Sequence, residues 1–191
     1  MKTIYSTALS LVFCGTTAAF SQEFSSPHPH DSSVQQPSPY AGQQSREIKA
    51  LSPAHTQDLL AGKGMELAKA AELNGYPGPM HVLELADSLR LTREQRAATS
   101  QLLTQHKTEA RAIGSHLVSA ERELDSVFKT QEAKAEDIKR LTQQIGTLQA
   151  ALRNAHLQTH LLQTRLLSPQ QMAQYVALRG YGGASSSHSH Q

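Results

Sequence analysis

Apolar residues recur along this chain at alternating spacings of three and four, the period of a helix, and no stretch shows the alternation by two that a half-buried strand requires. From Ala110 the seam reads Ala110, Ile113, Leu117, Ala120, Leu124 and Val127. After a polar break at 129–137 it resumes as Ile138, Leu141, Ile145, Leu148, Leu152, Ala155, Thr159, Leu162 and Leu166. A heptad-like seam on two consecutive segments with a short polar connection predicts a long antiparallel helical hairpin. Its first arm, 92–129, would be about 57 Å long at about 1.5 Å per residue.

Three sites share one helix-starting grammar. Leu51-Ser52-Pro53, Leu91-Thr92-Arg93-Glu94-Gln95 and Leu167-Ser168-Pro169-Gln170-Gln171 each place a hydroxyl residue after a leucine. The hydroxyl accepts from a backbone N–H of the next turn, and Gln95 and Gln171 stand where a side chain caps in return. Pro53 and Pro169 fall at the first helical position, where no N–H is missed. Leu167 and Met172 have the spacing of a hydrophobic staple. A first helix is expected over 52–74, ended by Asn74-Gly75-Tyr76-Pro77-Gly78-Pro79, with Gly62 and Gly64 kept for close approach to another helix. A second is expected over 79–89, with Val82, Leu85, Ala86 and Leu89 on one face. The expected fold is therefore all-α: a long antiparallel helical hairpin with two preceding helices and a short C-terminal helix. A slim two-helix arm buries little apolar surface per residue, so a homodimer is expected to cover it.

The ends read differently. Lys2, the apolar run 4–13 and the small residues up to Ala19-Phe20-Ser21 have the form of a cleaved export signal over 1–21. The run is about half of the roughly 20 residues that span a bilayer. Cys14 raises a lipoprotein alternative, which the bulky Phe13 before it fits poorly. Cleavage near Ser21 would remove the single cysteine of the chain, and with it disulfides and thiolate chemistry. Residues 22–46, rich in Ser, Gln, Pro and His, are expected to be a disordered leader, 47–179 the helical domain, and 180–191 a disordered histidine-containing tail. With 5% aromatic residues and no Trp, the core must rest on aliphatic side chains, which suits helices packed side by side. A formal charge of +2 gives no strong polyanion-binding field, so nucleic acid is not expected as a partner.

Leu91-Thr92-Arg93-Glu94-Gln95 resembles the LTxxQ motif of the Spy/CpxP family, and Leu167-Ser168-Pro169-Gln170-Gln171 is a near copy with Ser for Thr. One precedes the hairpin and the other follows it, so the resemblance spans about 79–181. Ser38-Pro39-Tyr40-Ala41-Gly42, Ile48-Lys49-Ala50-Leu51-Ser52 and the run from Ala71 to Pro79 are similar to a subgroup whose members are described as periplasmic heavy-metal sensors or refolding chaperones. The resemblance implies a cradle-like antiparallel dimer in the periplasm. Such a protein would hold unfolded envelope proteins without ATP, or tune an envelope-stress signal through a membrane sensor protein. The motif residues Leu91, Thr92, Gln95, Leu167, Ser168 and Gln171 would act as helix caps.

The alternative chemistry is metal binding, for sensing or sequestration. The chain has ten histidines. His156 and His160 are four apart and share a helix face, a spacing that can set two imidazoles on one ion. With the turn near Ala133, His106 lies 27 positions before it and His160 lies 27 after, so the three can converge at the open end of the hairpin. Glu109, one turn from His106, is a candidate fourth ligand. Imidazole and carboxylate suit zinc, copper or nickel alike. The bland alternative makes His106 a packing residue on the seam, with one hydrogen bond, and His156 and His160 solvated neighbours of it. The pairs His28/His30 and His188/His190 sit in the terminal segments, and His81 with Glu84 forms an i, i+3 pair. No enzyme is expected: Gly62-Lys63-Gly64 lacks the spacing of a phosphate-binding loop, and neither an HExxH motif nor a nucleophile–histidine signature is present.

Overall fold

The computed structural model describes residues 38–181. These build six α-helices and a short 3₁₀ turn, with no strand among the described residues. In order they are α1 (Pro53–Ala61), α2 (Lys69–Glu72), α3 (Pro79–Glu84), α4 (Arg93–Lys129), α5 (Ala135–Thr164) and α6 (Pro169–Leu178). The long pair α4/α5 packs side by side, joined by 130–134 and running antiparallel, as the cross-bonds Arg140–Glu123 and His106–Thr159 require. No helix among the described residues is long and apolar enough to cross a membrane.

The start signals act as their chemistry dictates. Ser52 accepts from the His55 N–H, Thr92 from Gln95 and Ser168 from Gln171, and the last two are complete capping boxes with the glutamine side chain returning the bond. Leu167 and Met172 meet in one apolar cluster.

The expected first helix, 52–74, is broken in two. Gly62 takes the left-handed conformation (φ 64°) and its N–H closes α1 on Asp58 and Leu59. Residues 63–68 then turn, with Met65 and Glu66 also at positive φ, before α2 begins. Gly62 does allow close approach: a Cβ there would lie 3.2 Å from the Lys107 carbonyl oxygen of α4. Gly64 has nothing near it and serves the turn instead. The expected helix 79–89 is also shorter, ending at Glu84. Beyond it the backbone tightens to i→i−3 bonds (Ala86 to Leu83, Arg90 to Asp87) and reverses at Arg90, φ 50°. Val82, Ala86 and Leu89 remain buried together, so the apolar face survives the change of backbone.

The seam holds until its end. Leu117, Ala120, Leu141, Leu152, Ala155 and Thr159 are buried, but Leu162 is 45% exposed and Gln163 takes the interior position. A helix of 3.6 residues per turn drifts about 20° per heptad from a strict seven-residue repeat, which is enough to rotate the next residue inward.

Two apolar clusters result. One joins Ile48, Leu51 and Leu59 to Ala110, Leu117, Val118, Ile145 and Leu152, fixing the α1 segment along the α4/α5 pair. Gly114 makes this possible, because a Cβ there would collide with the Leu59 carbonyl. Lys49–Asp125 (3.2 Å) and Arg122–Glu47 (3.0 Å) flank the buried Ile48. The other cluster gathers Val82, Ala86, Leu89, Leu91, Leu167 and Tyr175 at the open end, where α3 and α6 meet.

Candidate functional site

The two capping motifs meet. Gln95 Nε2 donates to Gln171 Oε1 and Gln171 Nε2 to Gln95 Oε1, both at 2.9 Å. Each amide also donates to a carbonyl just before the other motif, Gln95 to Leu166 at 2.9 Å and Gln171 to Leu89 at 3.2 Å. Each oxygen accepts from the N–H of its own cap, Thr92 or Ser168. A glutamine amide has two donors and one oxygen with two lone pairs, and here all are used. Leu91 and Leu167 are buried beside them. The six motif residues therefore do more than start helices: they lock α4 to α6.

Farther along the pair, polar groups continue through the interior. Gln163 Nε2 donates to the Thr99 hydroxyl at 3.2 Å. The Thr159 hydroxyl donates its proton to the Ala155 carbonyl (2.8 Å), so His106 Nδ1–H is the donor in the 3.0 Å bond between them. His160 Nδ1 faces the Tyr76 carbonyl at 2.8 Å, and since a carbonyl only accepts, that nitrogen also carries the proton. His106 packs edge-on to His156 with ring centroids 4.4 Å apart. His156 is 4% exposed and its Nε2 has no hydrogen-bond partner among the described residues.

Burial, followed by the neighbouring imidazoles, pulls the His156 pKa down to about 4. His106 is lowered by burial as well, although Glu109 acts against it. Both rings are therefore neutral at pH 7.

These three histidines line one open groove of about 970 Å³ between the 61–81 segment and the α4/α5 pair. Its apolar wall includes Met65, Pro79, Leu103 and the half-exposed Leu73 (54%) and Met80 (47%). Lys107 and Arg111, one turn apart on α4, add cationic groups with no carboxylate partner among the described residues. Of the residues singled out from sequence, His106, His156 and His160 come together. Glu109 does not join them: it is exposed and absent from the groove wall. His81 and Glu84 pair with each other at 3.0 Å. The pairs His28/His30 and His188/His190 lie outside the described residues. Among the described residues, no group of three or more His, Cys, Asp or Glu is arranged to hold a metal ion.

Sequence reasoning passed over Glu72. Its carboxylate accepts from the Tyr175 hydroxyl, from Tyr181 Oη (3.2 Å) and from the Gly78 N–H (3.2 Å), with Arg179 Nε 3.4 Å away and His160 3.7 Å away. It ties α2, α5 and α6 together beside the groove, and burial, then this bond, pushes the Tyr175 phenol far up. The only hint was its place between Ala71 and the turn at Gly75. Compared with models of known protein families, with curated proteins and with solved structures, the chain matches none of them.

Proposed function

We propose that this chain is an exported, non-enzymatic holding protein of the Spy/CpxP kind, which retains unfolded envelope polypeptides in the periplasm without ATP, as a homodimer whose state a membrane sensor protein can read. The observation that supports this most is the groove. It offers an apolar wall at Leu73 and Met80 beside Lys107 and Arg111, cations with no carboxylate partner among the described residues, on a surface open to solvent. Burying such apolar area contributes about 25 cal/mol per Å², while exposed charges add little affinity but favour encounter with polypeptides of opposite charge. A broad open surface of this type suits weak, reversible capture. The two motifs at the open end support the family resemblance, because their glutamines form one joint unit.

The test is aggregation of a chemically denatured protein, diluted from denaturant with no nucleotide present. The chain without residues 1–21 is expected to suppress light scattering at near-stoichiometric ratio, and a Leu73→Ser/Met80→Ser variant to lose at least half of that protection. Scattering unchanged by the parent chain would end this reading.

A second reading, metal sensing or sequestration, draws on the imidazole tautomers. With Nδ1–H committed to Thr159 and to the Tyr76 carbonyl, His106 and His160 each keep an Nε2 lone pair, and partners of this kind orient histidine ligands in metal sites. The donor set suits zinc, copper or nickel, and an ion would have to draw the three rings together. Calorimetric titration of the chain beside a His106/His156/His160 triple-alanine variant decides it: micromolar binding lost in the variant supports it, and equal or absent binding dismisses it.

A further inference from the structure

A second cleft, of about 590 Å³, opens between the 51–67 segment and the α4/α5 pair, and its walls include Leu51, Leu59, Leu117 and Leu152. Two features of this cleft have no purpose within the described chain. Glu121 projects from α4 into it, is only 8% exposed, and has no hydrogen bond or ion pair among the described residues. Its oxygens open on the solvent of the cleft, so the carboxylate stands among leucines with water in place of a protein partner. Gly146, inside α5, is the second. Gly62 and Gly114 are explained by the backbones that press on them, whereas a Cβ at Gly146 would meet nothing within 4 Å. Glycine in a helix interior weakens the helix, and its usual return is the close approach of another backbone.

We propose that this cleft is a second polypeptide subsite, which takes a lysine or arginine side chain carried on an apolar segment, with the cation seated on Glu121 and the segment's backbone lying over Gly146. The occupant follows from complementarity. The long aliphatic stem of a basic side chain matches leucine walls, and its charged end meets the one anionic group within them. Burial raises the Glu121 pKa, the charge of His55 on α1 acts against it, and neither His55 nor Arg153, which line the same cleft, forms an ion pair with it among the described residues. Arg153 of α5 is exposed there, and its charge opposes a second cation in the cleft. The proposal rests on the holding reading in one respect, that the occupant is a polypeptide; it does not depend on the imidazole groove.

Fluorescence anisotropy with two labelled peptides, one alternating Leu and Lys and the other Leu and Glu, tests it. Glu121→Gln is expected to weaken the Leu/Lys peptide tenfold or more and leave the Leu/Glu peptide unchanged. Arg153→Gln is expected to tighten the Leu/Lys peptide. Gly146→Leu is expected to block binding while thermal stability holds or rises, which separates occlusion from misfolding. The proposal is overturned if Glu121→Gln binds both peptides as before. It is also overturned if Arg153→Gln and Glu121→Gln each lower stability, which would make those two an internal pair. Sedimentation closes the remaining route: a shift from dimer to monomer in Gly146→Leu, with peptide binding intact, would assign the cleft to a second copy. Peptide binding without aggregation suppression would sink the holding reading and leave the cleft standing, and the reverse result would do the opposite.

Discussion

The two ends of the α4/α5 pair are built from the same heptad-like pattern, yet they are held by different means. At the open end the interior is polar and crowded, with Gln95 against Gln171, Thr99 against Gln163 and His106 against Thr159, under α3 and α6. At the turn end, residues 131–136 are exposed, Phe128 is 56% exposed, and the closing interaction is the surface pair Arg140–Glu123 at 2.7 Å. An exposed ion pair contributes about 0–1 kcal/mol. A seam therefore specifies that two helices meet, whereas the elements laid across it decide how firmly. The open end is expected to be sensitive to both acid and mutation, and the turn end to be indifferent to both.

Acid is the largest lever. His156 is neutral when folded, with a pKa near 4 against 6.5 for the free side chain, so the unfolded chain takes up the proton first as pH falls. Stability from this residue is intact above pH 6.5, declines as pH falls below it, and has dropped by about 3 kcal/mol near pH 4. Glu121 acts in the opposite sense, because its raised pKa weakens the fold at higher pH and acid relieves it. Site-resolved hydrogen exchange separates them: between pH 7 and 5, protection is expected to fall around 155–165 and to stay level around 138–145. A His156→Gln variant that shows the same loss would remove this account.

Next is Gln95→Ala, expected to cost about 2 kcal/mol in urea unfolding, since it strands the Leu166 carbonyl and the Gln171 amide as well as its own cap. Gln171→Ala added to it is expected to cost much less than it does alone, the mark of one shared unit. Smallest is Phe128→Ser at the turn end, expected within about 0.5 kcal/mol of the parent chain in the same measurement. A loss near that of Gln95→Ala would mean that Phe128 is covered in solution, by a second copy.

Helix starts were legible because the capping chemistry is local: Thr92, Ser168 and Pro169 carry their signals within four residues. The seam was legible because it repeats. What could not be read is what depends on a partner far along the chain. Gly62 ends α1 in a left-handed cap against α4, a stop that the glycine pair hinted at locally but that reads equally as close approach within one helix over 52–74. Leu162 gives way to Gln163 through a drift that accumulates over several heptads. At the candidate site, periodicity and hairpin symmetry brought His106, His156 and His160 to one end, but Glu109 was placed by spacing alone and lies outside the groove. Glu72 and Glu121 were passed over because a carboxylate on a helix ordinarily stands exposed, and only packing reveals that these two are largely covered.

The reciprocal amides at the open end constrain how this molecule can change in length. Each glutamine reads a carbonyl next to the other motif, so the starts of α4 and α6 must stay in register with each other. A residue inserted into α4 alone would turn its whole seam by about 100° relative to α5. Matched insertions of about seven residues in both long helices would keep both seams nearly aligned and leave the amides untouched. The arm is thus a part that can be lengthened or shortened by paired heptads while the joined motifs stay as they are, and homologues of different reach would be expected to differ in such steps.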